Sequence, residues 1–322
     1  MSNRKISSAF SFSFLLILSI IFLFPIYLVF INSFKSKFNI IGEPFTFPNS
    51  ETFVGFENYL NGIESSGLIG AFIRTLIITV GSVVAIVIFT SMTAWYLTRV
   101  KSKMNKVIYY LFIFSMIVPF QMVMFTMTSI CAKLGLNNVI GIIPVYLGFG
   151  SGLSVFMFSG FVKGLPREIE EAAMIDGCSP LKSFFYVVFP VLKPTAITVA
   201  ILNAMWIWND FLLPYLLLGS GNKTLSVAIQ LAMQGAYGAI DWGGFMAMLV
   251  LSIIPIIIFY LLCQKYIIKG VIDGAVKGEN VMKAFDNSEF EKHKAEAREK
   301  WGKTDAYKEH AERTKNYSKQ KW

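Results

Sequence analysis

The sequence predicts an all-α polytopic membrane protein with six transmembrane helices. Three observations carry that expectation. Hydrophobic residues make up 55% of the 322-residue chain and charged residues 15%, with a mean hydropathy of +0.58, more apolar surface than a soluble core needs. Six runs reach the roughly 20 apolar residues required to cross the hydrocarbon layer as a helix. Between the fourth and fifth runs sits a charged, glycine-broken segment, Glu171 to Pro194, placed as a docking element would be on a membrane protein.

The first span, about residues 10–32, follows Arg4 and Lys5. It exceeds the length of a signal-peptide core and lacks a small-x-small cleavage site, so it is expected to be retained. An outer loop, residues 34–69, carries Pro44, Phe45, Phe47 and Pro48 with Phe53, Phe56 and Tyr59. It is expected either to receive an extracellular binding protein or to cap the bundle, since aromatic rings also collect at membrane interfaces. Further spans fall at about 72–97, 106–128, 138–162, 193–217 and 244–267. Gly141, Gly148, Gly150 and Gly152 make the fourth small-sided, which favours close helix packing. Prolines 25, 119, 144, 214 and 255 lie within runs, where each removes a backbone hydrogen bond and invites a kink. A second outer loop, Gly219 to Trp242, carries Tyr237 and Trp242 as interfacial anchors.

Basic residues set the orientation, because Lys and Arg near span ends resist translocation. Arg99, Lys101, Lys103 and Lys106 cluster after the second span, Lys163, Arg167 and Lys182 after the fourth, and Lys265, Lys269 and Lys277 after the sixth. The opposite loops carry mainly Lys35, Lys37, Lys133 and Lys223. Both termini are therefore expected in the cytoplasm of a multi-pass cell-membrane protein, with Glu171 and Gly177 on the same side.

Within the charged segment, Pro166 suits a helix start and Gly177 a helix stop. Ser179-Pro180 repeats the start signal, and Leu181, Phe184, Phe185 and Val188 fall on one helical face. Two short helices are thus expected to meet at a glycine corner. Ala172, Ala173 and Gly177 have little bulk and admit a partner's close approach, while Glu168, Glu170, Glu171 and Asp176 orient it. The spacing of Glu171-Ala172-Ala173, Asp176-Gly177, Phe184, Pro190 and Pro194 resembles the EAA loop of ABC importer permeases, with Cys178 where that family usually has alanine. The resemblance covers almost all of residues 1–278 and implies a type I ABC importer permease fold, with the core at 70–268 and its coupling loop at 166–194. It also implies a second permease subunit, two cytoplasmic ATPase subunits and an extracellular or periplasmic solute-binding protein as partners.

In the fifth run Asn203, Trp206 and Asp210 recur at helical spacing on a face unsuited to lipid. With Asn209 they are candidate pathway residues, combining hydrogen-bonding groups and aromatic faces as sugar binding requires. The alternative is interhelical glue. The stretch WNDFLLPYLLL is similar to a segment of sugar-type permeases and tilts the expected solute toward carbohydrate, with importers of other solutes as the alternative.

No Walker A loop is present: in Gly219-Ser-Gly-Asn-Lys-Thr224 the lysine is not preceded by glycine. ATP hydrolysis is expected on a partner chain, and no enzyme activity, cofactor, metal or nucleic-acid partner is expected here. Cys131, Cys178 and Cys263 lack metal spacing and read as free thiols, and His293 and His310 both fall in the polar tail. That tail, residues 279–322, is highly charged. Phe290 to Trp322 resembles the start of the TipAS antibiotic-recognition domain, too short to inherit its ligand binding. A membrane-tethered sensor is the alternative the tail raises.

Overall fold

The computed structural model describes the backbone of residues 2–233 and 240–285 and the side chains of residues 11–233 and 240–264. The TipAS-like segment and Tyr237 lie outside the described residues. The chain divides into two compact units, Met1–Tyr266 and Ile267–Trp322.

The described residues are almost entirely helical. In order they form α1 (Ser2–Asn32), α2 (Lys37–Gly42), α3 (Glu57–Ser66), α4 (Leu68–Arg99), α5 (Lys103–Ser115), α6 (Phe120–Lys133), α7 (Ile142–Lys163), α8 (Glu168–Ile175), α9 (Pro180–Ser183), α10 (Phe189–Asn209), α11 (Leu212–Leu218), α12 (Leu225–Met233) and α13 (Trp242–Phe285). Five segments are long and apolar enough to cross a membrane: Ser11–Asn32, Leu68–Arg99, Ile142–Lys163, Pro180–Asn209 and Trp242–Gln264.

The expected span at 106–128 is not one helix. α5 stops at Ser115 and α6 leaves it at 106°, so among the described residues a sixth crossing exists only as this broken pair. Pro119 occupies the N-cap of α6 with ψ 137°, and a proline disfavours helical geometry in the residue before it. Pro144 and Pro214 likewise sit in first turns rather than helix interiors, whereas Pro25, Pro194 and Pro255 lie inside α1, α10 and α13.

The expected span at 193–217 is displaced. Its helix starts upstream, as α9 runs through a π-helical turn, Phe184–Val188, directly into α10. It ends at Asn209, because Asp210 is extended (φ −69°, ψ 127°). The second half of the charged segment is therefore the root of a span and not a separate short helix. The π turn also splits the expected apolar face: Phe184 and Val188 are buried, whereas Leu181 is 59% and Phe185 43% exposed.

Packing centres on α4, α7 and α10, with α4 against α7 the most extensive pairing. Along α7, Ile142, Tyr146, Gly150, Ser154, Phe158 and Val162 recur every fourth residue, all buried. Lipid is as apolar as these side chains, so close packing and interhelical hydrogen bonds must hold the bundle. A Cβ on Gly150 would lie 2.6 Å from Ile86 Cδ1 and 2.7 Å from Asn203 Oδ1, and one on Gly152 2.7 Å from the Phe112 carbonyl oxygen. Those two glycines set the approach of α7 to its neighbours, whereas Gly148 has open space. Thr75, Thr90 and Ser154 return their hydroxyls to carbonyls one turn back, at 2.9, 2.6 and 2.7 Å, satisfying polar groups that lipid would leave unpaired.

The loop 34–69 is structured and contains α2 and α3. Asn58 Nδ2 donates to the carbonyls of Ser33 (2.8 Å) and Lys35 (2.9 Å), and Ser33 Oγ pairs with Tyr59 OH at 2.7 Å. Lys35 is fully buried, its Nζ donating to the Glu43 carbonyl (2.9 Å) and Thr46 Oγ1 (3.2 Å). Burial pushes its ammonium below the ordinary lysine range, with Glu43 opposing. The expected second outer loop also contains structure: Leu225 and Ile229 of α12 pack with Leu68 and Met248.

Candidate functional site

α8 begins two residues after Pro166, with acids at Glu168, Glu170 and Glu171 in its first turn, where they complement the helix dipole. Its end is a Schellman motif: Gly177 N–H donates to Met174 O and Cys178 N–H to Ala173 O, both at 3.0 Å, with Gly177 at φ +81°. Ser179 then caps α9, accepting from Lys182 N–H at 3.4 Å, and Pro180 supplies its first turn. These signals fold Glu168 to Ser183 into a corner at the end of α7.

The corner has a fixed root and an open tip. At the root, Glu170 is only 8% exposed. Its carboxylate accepts from Trp95 Nε1 (2.9 Å) and from Arg99 Nε and Nη2 (2.8 and 2.6 Å), both from α4. Arg99 Nη2 also donates to the Leu165 carbonyl at 3.1 Å. Trp95 packs on Phe184 with ring centroids 5.4 Å apart, so one indole joins the root of α8 to the start of the following span. Glu170 therefore does not point outward with the other acids. Its role and those of Trp95 and Arg99 escaped the sequence reading, although an acid amid small residues and an arginine at a helix C-terminus were both visible. Ala173 is also buried, at 7% exposed, and so lies apart from the exposed tip.

At the tip, Glu168, Glu171, Ala172, Asp176 and Gly177 are exposed. In the same corner Ile175 is 86%, Met174 53% and Leu181 59% exposed, so the tip offers apolar side chains as well as carboxylates. Pro190 and Pro194 are exposed on α10, while Phe184 is fully buried. Among the described residues no group of acids, histidines and cysteines suits a metal ion.

The pathway candidates do not share one helical face, because Asp210 lies beyond the end of α10. Asn203 is buried and donates to Ser154 Oγ of α7 (3.2 Å) and to the Val199 carbonyl (2.9 Å), the geometry of interhelical glue. Asp210 accepts from Tyr146 OH (3.0 Å) through one oxygen and from Leu212 N–H (3.1 Å) through the other. It thereby joins α7 to the start of α11. Trp206 meets Tyr146 edge-on at 5.5 Å and remains 42% exposed. Asn209 is exposed, its amide returning to the Met205 carbonyl at 2.7 Å. Trp208 turns away to pack on Phe72. Tyr146 and Ser154 were missed, being scattered among the glycines of an apolar run.

Asp210→Ala is expected to lower the thermal unfolding temperature of the detergent-solubilised protein, through loss of two hydrogen bonds of about 1 kcal/mol each. Asp210→Asn, which retains an acceptor for either donor, should recover most of it. Equal unfolding temperatures for wild type and Asp210→Ala would remove the tether.

Spans packed around polar interhelical contacts, with a short helical corner at the end of one of them, define a polytopic helical membrane protein. Residues 86–273 match the family described as "Binding-protein-dependent transport system inner membrane component", and the chain belongs to that family. It is 40% identical over 263 residues to the "Probable starch degradation products transport system permease protein AmyC" of Thermoanaerobacterium thermosulfurigenes, covering 81% of this chain and 94% of that one. It is 35% identical over 279 residues to the "Multiple sugar-binding transport system permease protein MsmG" of Streptococcus mutans, covering 85% and 99%. A crystal structure of a bacterial ABC transporter involved in import of the acidic polysaccharide alginate shares the fold, with a TM-score of 0.70 at 23% identity over 83% of this chain and 98% of that chain.

Proposed function

We propose that this chain conducts a carbohydrate as one permease subunit of an ATP-driven importer, with α8 as its docking point for a separate ATPase. The assembly would contain a second permease, two ATPase subunits on the cytoplasmic side and an outer solute-binding protein. Both termini and the α8 corner face the cytoplasm in this reading, in keeping with the basic residues that flank it. The sugar assignment is supported by the carbohydrate-transport names of the similar proteins. It is also supported by the aromatic and amide groups at Trp206 and Asn209, which remain open to a solute.

One observation carries the coupling half: α8 is bound at Glu170 to α4 while its tip is exposed. A grip on the tip moves such a helix as a lever. ATP binding favours one arrangement of the ATPases. Rigid docking at Glu168, Glu171, Asp176 and Gly177 then passes that preference through Glu170 to α4 and through Phe184 to α10, shifting both helices around the pathway. No covalent change in the solute is needed.

The test is uptake by the complete transporter in proteoliposomes, with a radiolabelled panel of oligosaccharides, amino acids, oligopeptides and phosphonates. ATP-dependent accumulation of an oligosaccharide alone is expected. Accumulation of a peptide, amino acid or phosphonate without any sugar contradicts the carbohydrate assignment.

A further inference from the structure

A cavity of about 560 Å³ opens where the end of α4, the start of α5 and the end of α7 meet. Lys101, Lys103, Lys106 and Lys163 line it, above an apolar wall that includes Leu97 and Tyr109, and no acidic side chain contributes. Among the described residues none of these lysines belongs to an ion pair.

The walls are fixed by their own hydrogen bonds. Ser102 Oγ accepts from Asn105 N–H at 3.0 Å, and Asn105 Nδ2 donates to the Val100 carbonyl at 2.7 Å. Lys163 Nζ sits over the Tyr109 ring, 5.2 Å from its centroid, which places a fourth cation from a helix distant in sequence. Cations gathered around one concavity repel each other until an anion enters. The bias of basic residues toward one membrane face explains why lysines lie at this end. It does not explain why they share a cavity with an apolar wall.

We infer that this cavity binds the headgroup of an anionic phospholipid from the adjoining leaflet. The phosphate meets the lysines and the start of the acyl chains lies along Leu97 and Tyr109. A free inorganic anion satisfies only the first half of that lining. The inference does not depend on which solute is carried. Because Arg99 immediately precedes the lysine-bearing turn and holds Glu170, an occupied site bears on the part of α4 that anchors α8.

The experiment is native mass spectrometry of the delipidated full transporter supplied with phosphatidylglycerol or phosphatidylcholine. Wild type should retain phosphatidylglycerol preferentially. Lys101→Gln/Lys103→Gln/Lys106→Gln/Lys163→Gln should lower retention at least about tenfold. The corresponding four-arginine variant should restore it, and Lys182→Gln/Lys193→Gln should leave it unchanged. Thermal unfolding verifies the fold of the glutamine variant, and if that variant is unfolded the inference stands or falls on wild type and the arginine variant preferring phosphatidylglycerol over phosphatidylcholine. Equal retention of the two lipids overturns the proposal, as does full retention by the folded glutamine variant. Displacement of the lipid by inorganic phosphate makes the site one for a free anion and overturns it too. Retained lipid with lost ATPase subunits in the glutamine variant makes the surface a protein contact instead.

Discussion

Glu170→Ala is expected to cut ATP-driven uptake at least about tenfold while leaving the spans inserted. The substitution removes the acceptor for Trp95 Nε1 and for two Arg99 donors. The Arg99 guanidinium is then left nearly buried, with the Leu165 carbonyl as its remaining acceptor at 3.1 Å. Breaking one side of a buried ion pair costs about 3 kcal/mol, enough to free α8 from α4. Movement of the ATPase would then be absorbed by the corner rather than passed to the bundle. The signature is uncoupling: ATP hydrolysis by the assembled transporter persists while solute accumulated per ATP falls. Glu171→Ala, an exposed neighbour, should leave the stability of the isolated permease unchanged. An unaltered coupling ratio in Glu170→Ala would show that the root carries no force.

Gly177→Leu should reduce recovery of the ATPase with the permease by about tenfold, without affecting membrane insertion. Two effects combine here. The residue sits at φ +81°, where an L side chain costs about 1–2 kcal/mol, and its N–H and that of Cys178 close the Schellman motif. Beyond its two chain neighbours nothing lies within 4 Å of an added Cβ, so the first atom of the new side chain meets open space. In the proposed assembly, added bulk at this exposed tip meets the ATPase. Gly177→Asn separates the two effects, because asparagine visits the left-handed region more readily and is smaller. It should retain more ATPase than leucine does. Normal co-purification and uptake with Gly177→Leu would mean that the tip is not gripped.

Local chemistry with a one-to-one sequence code was legible. Gly177, Ser179-Pro180 and the acids of α8 mark its corner because caps and dipole effects act within a turn. Apolar length marked most spans, because a crossing helix needs about 20 apolar residues in succession. Interruptions inside apolar runs were not legible. Pro119 reads equally as a kink or a break until the 106° turn between α5 and α6 is seen. Asp210 continues the helical spacing of Asn203 and Trp206, yet it gains more by accepting from Tyr146 and Leu212 N–H outside the helix. Pairings distant in sequence were the least visible. Glu170 resembles Glu171 in every local respect, and only the fold brings Trp95 and Arg99 to one of them.

Cys178 offers the most direct test of the claim that the α8 corner is an intracellular docking point. It follows Gly177 and is partly exposed. With Cys131→Ala and Cys263→Ala, a membrane-impermeant maleimide should modify Cys178 only in inside-out vesicles stripped of ATPase, and re-binding of the ATPase should protect it. Modification from the outer face of intact cells would contradict the claim.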